Sequence, residues 1–236
     1  MASAKEQRNS VKTSISTFWT TIYGWKRRLL SILSIATGFS LIQLAGDIED
    51  LAVKFHKPET RRSLLAGIGH CSALVKILPD FSDYLLLSRS VASIDDFVVT
   101  SARLGIFETT ISNYNDNLMQ YMTPQSVLCF IRSQVAHRTA STGVHWAKTF
   151  SKYNSGTYNN QWSIIDYKKF RQFQNDVLLH GLLHVLEQLP NHVVHTDMTH
   201  TLLRQKYWPS YNTPYFRKIF EWSESDKMVK KFGDWY

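Results

Sequence analysis

Cysteine is scarce in this chain: only Cys71 and Cys129 occur among 236 residues. Two thiols allow one disulfide at most, so a disulfide framework is excluded and the redox compartment cannot be read from cysteine usage. Acidic residues are also short, 19 against 27 Lys and Arg, which leaves a net charge of +8. Charged residues make up 19% of the chain and hydrophobic ones 44%. That balance excludes a disordered chain and supports one sizeable core or two small ones. No zinc-finger, RNA-binding or helix-turn-helix signature is present, so no nucleic-acid partner is expected. Missing as well are a P-loop, a dinucleotide fingerprint and a serine nucleophile elbow. The first twenty residues are too polar for a signal peptide. The nearest thing to a membrane span is Leu29 to Ala45, after Trp25 to Arg28. There Ser31, Ser34, Thr37, Ser40 and Gln43 recur every third position, and this polar stripe favours an amphipathic helix over a signal anchor.

Residues 1–38 read as a basic lead followed by that amphipathic or anchor-like segment, and residues 39–236 as the folded domain. Lys5, Arg8, Lys12, Lys26, Arg27 and Arg28 give the lead its charge, which suits either a solvated terminus or contact with a membrane surface. Leu41, Leu44, Ile48, Leu51, Ala52 and Phe55 share one helical face over 39–55. Short apolar runs predict strands at Ser72–Leu78, Tyr84–Leu87, Asp96–Thr100, Gly105–Ile111 and Gln161–Tyr167. The spacing predicts one helix over 125–150, extended chain at Val193–His195 and a helix over Met198–Tyr207. Gly181–Leu189 fits helix and strand equally. The alternation of helices and strands implies a layered α+β domain.

The chemistry-bearing candidate is Cys71, which follows Gly67-Ile-Gly-His70 and opens an apolar strand. A thiol becomes a nucleophile once a base or a depressed pKa supplies the thiolate. If the chain were cut before Cys71, the new α-amino group, with an ordinary pKa near 8, would stand beside the thiol as that base. By itself this pattern is weak, because a lone cysteine at a strand start is usually a core residue. His180 and His184 stand four apart, but they lack a third ligand and an intervening Glu, so no metal and no cofactor are expected.

Several segments carry a resemblance. They are Gln43 to Ala52, Gly69 to Lys76, Asp95 to Phe97, Glu108 to Ile111, Asn154 to Trp162 with Ile165 to Lys168, Leu186 to Pro190, Tyr207 to Asn212 and Phe232 to Tyr236. In this order they resemble the phospholipase B-like (lamina ancestor-like) family, over residues 39–236. The resemblance implies an N-terminal nucleophile hydrolase-like αββα sandwich and self-cleavage between His70 and Cys71. It implies Cys71 as nucleophile, Asn212 at the oxyanion, Thr110 lining the pocket, and Asn159, Asn160 and Trp162 near the substrate. It also implies a phospholipid or other acylated small molecule as substrate, and a lysosomal or secreted location. Asn212 also fits a turn ahead of Pro214, Thr110 a structural strand residue, and Trp162 a core indole.

The chain departs from the family pattern in three places. It opens without a secretory leader and with little of the usual segment before the cut. It ends earlier than family members do. Between Ser90 and Val91 it lacks an insert that begins with a histidine and a tryptophan, so Ser88 or Arg89 stands where that histidine is expected. The chain is therefore expected to be a partial member. It would be either an acyl ester or amide hydrolase or a non-catalytic remnant that binds lipid or a partner. An anchored form using residues 29–45 is a third reading. Nothing in the sequence fixes an oligomeric state.

Overall fold

The computed structural model describes residues 44–55, 71–78, 84–89, 97–173 and 180–233. The basic lead, residues 56–70 just before Cys71 and the junction at Ser90 and Val91 lie outside the described residues.

Among the described residues, eight strands form two antiparallel sheets. The smaller sheet has the order β2-β1-β8, from β1 (Ser72–Ile77), β2 (Tyr84–Arg89) and β8 (Tyr207–Ser210). The larger has the order β3-β4-β5-β6-β7, from β3 (Phe97–Val99), β4 (Leu104–Thr110), β5 (Asn160–Asp166), β6 (Leu183–Leu189) and β7 (His192–Asp197). The helices are α1 (Ala45–Phe55), α2 (Cys129–Thr139), α3 (Gly143–Phe150), α4 (Tyr167–Phe173), α5 (Thr199–Gln205), α6 (Arg217–Trp222) and α7 (Ser225–Phe232), with a 3-10 turn at Asp116–Tyr121. The domain is thus α+β, and the described strands within each sheet pair antiparallel.

Side-chain alternation divides the large sheet into two buried faces. Phe107, Ile165, Leu183 and Val185 meet Ala73, Val75, Ile77 and Trp208 of the small sheet, together with Met198 and Leu202. The neighbouring positions Leu104, Ile106, Trp162, Ile164 and Leu186 face α2 and α3 instead, packing on Ala136, Trp146, Ala147 and Phe150. Every residue of β5 and β6 is buried. A strand covered on both sides loses the alternating pattern, which is why 181–189 fitted helix and strand alike.

Two expected helices differ. The one over 125–150 breaks after Thr139, where Ala140 turns extended and Thr142 caps α3 by accepting from the His145 N–H. The break folds α3 back on α2, so that Arg132 donates to the Phe150 carbonyl at 2.8 Å and Trp146 to His137 Nδ1 at 3.1 Å. The helix over 198–207 stops at Gln205, and Lys206 takes a left-handed φ of 66°. The next four residues become β8. Pro209 is tolerated there because β8 is an edge strand, and its missing N–H costs no ladder bond on the unpaired side. His180 and His184 do not share a helix face: His184 lies in β6, and its Nε2 lies 3.0 Å from His195 Nδ1.

Candidate active site

Cys71 stands at the entrance to β1 and is 7% exposed. Its backbone N–H donates to Asn212 Oδ1 at 3.1 Å. Its sulfur is 4.0 Å from the Thr110 hydroxyl. The Asn212 Nδ2 donates to the Thr110 carbonyl at 2.7 Å, so the one amide bridges the cysteine's nitrogen and the end of β4. Asn212 follows β8, and β8 pairs with β1. Pairing of these two strands therefore delivers Asn212 to Cys71 across 141 residues.

The other candidates sit on β5 or just before it. Asn160 is the register partner of Thr110. With its amide nitrogen turned toward Glu108, Asn160 donates to Glu108 Oε2 at 3.1 Å. Asn159 accepts the Ile111 N–H on its carbonyl and donates from Nδ2 to the Gly156 carbonyl at 3.0 Å. Its side-chain oxygen is buried without a hydrogen-bond partner among the described residues. Trp162 lies on the helix-facing side of β5, its ring centroid 5.0 Å from Trp146 and 5.2 Å from Phe150. Cys71, Thr110 and Asn212 therefore form one cluster and Asn160 pairs along its edge, while the Trp162 ring packs in the helix–sheet core. Cys71 and Cys129 are both free thiols. Among the described residues no group of three or more His, Cys, Asp or Glu could hold a metal ion. A cavity of about 470 Å3 opens beside the β6–β7 turn, lined by Tyr121, Gln125, Tyr153 and Asn191 among others, and none of the six candidate residues lines it.

Two polar networks went unnoticed in the sequence. In the first, Asp47 of α1 is wholly buried and its carboxylate accepts the Cys129 and Phe130 N–H groups at 2.9 and 3.0 Å. It thereby caps α2 from another helix, and it also accepts the Thr157 hydroxyl. Asp50 accepts the Tyr158 N–H at 2.6 Å, and the Tyr158 hydroxyl donates to Glu108 at 2.8 Å. The second network lies between the sheets. Ser210 donates to Gln161 at 2.6 Å, and Gln161 donates to Glu187 at 2.6 Å. Burial pushes the Glu187 carboxyl up to about 7, although hydrogen bonds from the Tyr215 amide, Gln161 and the Phe216 amide pull it down. The readable signal was positional, since Gln161 and Ser210 are polar residues on inward-facing strand positions.

Fold and site together define a two-sheet α+β domain with a cysteine-centred cluster at the junction of the sheets. The family model for phospholipase B matches residues 89–236. Phospholipase B-like 1 of Caenorhabditis elegans is 42% identical, the match covering 98% of this chain and 47% of that protein. Phospholipase B-like 1 of Homo sapiens is 34% identical over 88% of this chain and 44% of its own length, and that of Bos taurus 37% over 70% and 36%. The chain belongs to the phospholipase B-like family. It spans about half, or less, of the length of these relatives. The worm match runs over 268 positions, more than the 236 residues present here, so the relative carries extra residues inside the matched span.

Proposed function

We propose that this chain is the nucleophile-bearing part of an N-terminal nucleophile hydrolase that cleaves acyl ester or amide bonds, with phospholipids as the substrate class suggested by its relatives' names. The observation that carries the reading is the Cys71 N–H held by Asn212 Oδ1, with the sulfur beside Thr110. An amide nitrogen is no base, so a hydrogen bond to it does little for a thiol in an uncut chain. Once the bond between His70 and Cys71 is broken, the same nitrogen is an amine, and the asparagine is already placed to orient its lone pair toward the sulfur.

The cut proceeds by attack of the Cys71 sulfur on the His70 carbonyl carbon. The C–N bond breaks to give a thioester and the free Cys71 amine, and water then hydrolyses the thioester to the His70 carboxylate and the Cys71 thiol. In turnover the amine takes the thiol proton, the sulfur attacks the acyl carbon, the alcohol leaves with a proton, and water removes the acyl group. Asn212 serves in this scheme mainly as the clamp on the amine, and Thr110 fixes the sulfur. The oxyanion role falls to the second Nδ2 hydrogen of Asn212. Asn159 and Asn160 border the substrate side, and Trp162 supports that wall from the core. Residues 39–236 form the hydrolase domain and belong to an αββα sandwich. The basic lead 1–38 meets membrane surfaces, and the protein works in the lysosome or outside the cell. Among the described residues no helix is long and apolar enough to cross a membrane.

Intact mass of the expressed chain tests the first step. Processing at His70–Cys71 is expected, with Cys71→Ala uncut, and the processed protein is expected to release fatty acid from a lyso- or diacyl-phospholipid. An uncut wild type without turnover favours the second reading, a non-catalytic remnant, for which the burial of Cys71 speaks.

A further inference from the structure

Glu187 lies on β6, wholly buried, and takes no part in the proposed chemistry. Its contacts nevertheless converge on the loop that carries Asn212. One end of that loop is held by an ordered chain: the Thr109 hydroxyl lies 2.7 Å from the Ser210 hydroxyl, Ser210 donates to Gln161 at 2.6 Å, and Gln161 donates to Glu187 Oε1 at 2.6 Å. Thr109 also reaches the Tyr211 carbonyl at 3.0 Å. The other end is held directly, because the Tyr215 N–H donates to Oε1 at 2.6 Å and the Phe216 N–H to Oε2 at 3.0 Å. Asn212 sits between these two anchorages. Strand alternation does the rest: Thr109 points into this network, while its neighbour Thr110 points to Cys71.

We infer that Glu187 is a positioning residue for the Cys71 site, fixing through Gln161, Ser210 and Thr109 on one side and the Tyr215 and Phe216 amides on the other the loop that presents Asn212 to Cys71. The inference rests on the cysteine-centred reading of that site. An ionised carboxylate can accept from all three N–H donors at once. A protonated one adds a donor that needs its own acceptor and weakens one oxygen as an acceptor, so one of the three is poorly met. The groups facing the carboxylate are Gln161 from β5 and the two loop amides, all neutral, and no charged group among the described residues contributes to its raised affinity for a proton. Loss of the proton therefore tightens the loop.

The test reads thiol reactivity, which does not require turnover. Alkylation of Cys71 by iodoacetamide is followed by peptide mass spectrometry from about pH 5 to about pH 9, with the wholly buried Cys129 as the marker of global opening. In the full-length wild type the Cys71 rate is expected to carry a step near pH 7. Glu187→Gln is expected to remove that step and change the rate above it by at least about fivefold, as for a modest coupling, with Cys129 unchanged. Ser210→Ala, which cuts the chain without touching the carboxylate, is expected to shrink the step, and it decides the matter if Glu187→Gln fails to fold. Superimposable Cys71 profiles in wild type and variants would overturn the inference. A wild type that shows the step but never cleaves itself would sink the hydrolase reading and leave the positioning role standing.

Discussion

The backbone N–H of Cys71 and the side-chain oxygen of Asn212 meet at 3.1 Å, although 141 residues separate them in the chain. The bond is made to a backbone atom, so no substitution of Cys71 except proline removes it, and the two residues can be tested separately.

Asn212→Ala is expected to slow self-cleavage by about a hundredfold or more, the usual scale for losing one oriented amide at a reacting centre. Asn212→Asp keeps an acceptor for the Cys71 nitrogen but sets a second oxygen against the Thr110 carbonyl. Lacking the oxyanion donor and adding a negative charge, it should cleave no faster than alanine. A mass-spectrometric time course ranks the three, and an alanine variant that cleaves at the wild-type rate would remove Asn212 from the mechanism.

Asp47→Ala strips the cap from α2 and leaves the Cys129 and Phe130 amides and the Thr157 hydroxyl without their acceptor. Orphaned buried donors cost about 1–3 kcal/mol each, and relaxation offsets part of this, so a net loss of about 2–4 kcal/mol is expected. Urea unfolding measures it. A loss within about 0.5 kcal/mol, as at an ordinary surface position, would show that α1 is not anchored there.

Gly46→Ala reverses a familiar rule. In an open helix the change helps by up to about 1 kcal/mol. Here a methyl group at residue 46 would collide with the Tyr158 ring, which is held at both its amide and its hydroxyl. Destabilisation of about 1–3 kcal/mol is expected, as for overpacking. In the Tyr158→Ala background the same change should become neutral or favourable, and a double-mutant cycle reads the coupling.

Acid should weaken the fold through its histidines. Burial lowers His137 and His184 from 6.5 to about 4, with His195 adding to the effect at His184. The unfolded chain binds these protons first, so their contribution to stability is intact above pH 6.5 and is lost as pH falls toward 4. Glu187 works in the other direction. Raised from 4.5 to about 7, it favours the folded state below 4.5 and gives that up as pH rises through 7. Denaturant midpoints should therefore fall from pH 6.5 to 4, and Glu187→Gln should make the fall steeper. His184→Asn should flatten it, and an unchanged slope in both variants would contradict these assignments.

The strand runs at Ser72 and Tyr84, the helix beginning near Ala45 and the α+β class were legible because local pattern and final burial agree there. The split between α2 and α3 was not, since it depends on Trp146 and Phe150 folding back over Trp162, a contact invisible to helical periodicity. The strand at Tyr207–Ser210 was missed, its first residue read as the end of a helix, because its partner among the described residues, β1, lies far back in the chain.

For the site, the sequence by itself singled out Cys71, from its glycine-flanked setting and then from the family resemblance that also marked Thr110 and Asn212. What it could not supply was the direction of each hydrogen bond. That Asn212 turns its oxygen to the Cys71 nitrogen and its nitrogen to the Thr110 carbonyl follows from the pairing of β8 with β1. That Glu187 stands behind the same loop follows from the packing of one sheet on the other. Residue types and local spacing are written along the chain, but a polar side chain inside a sheet sandwich takes its role from partners that only long-range strand pairing brings within 3 Å or so.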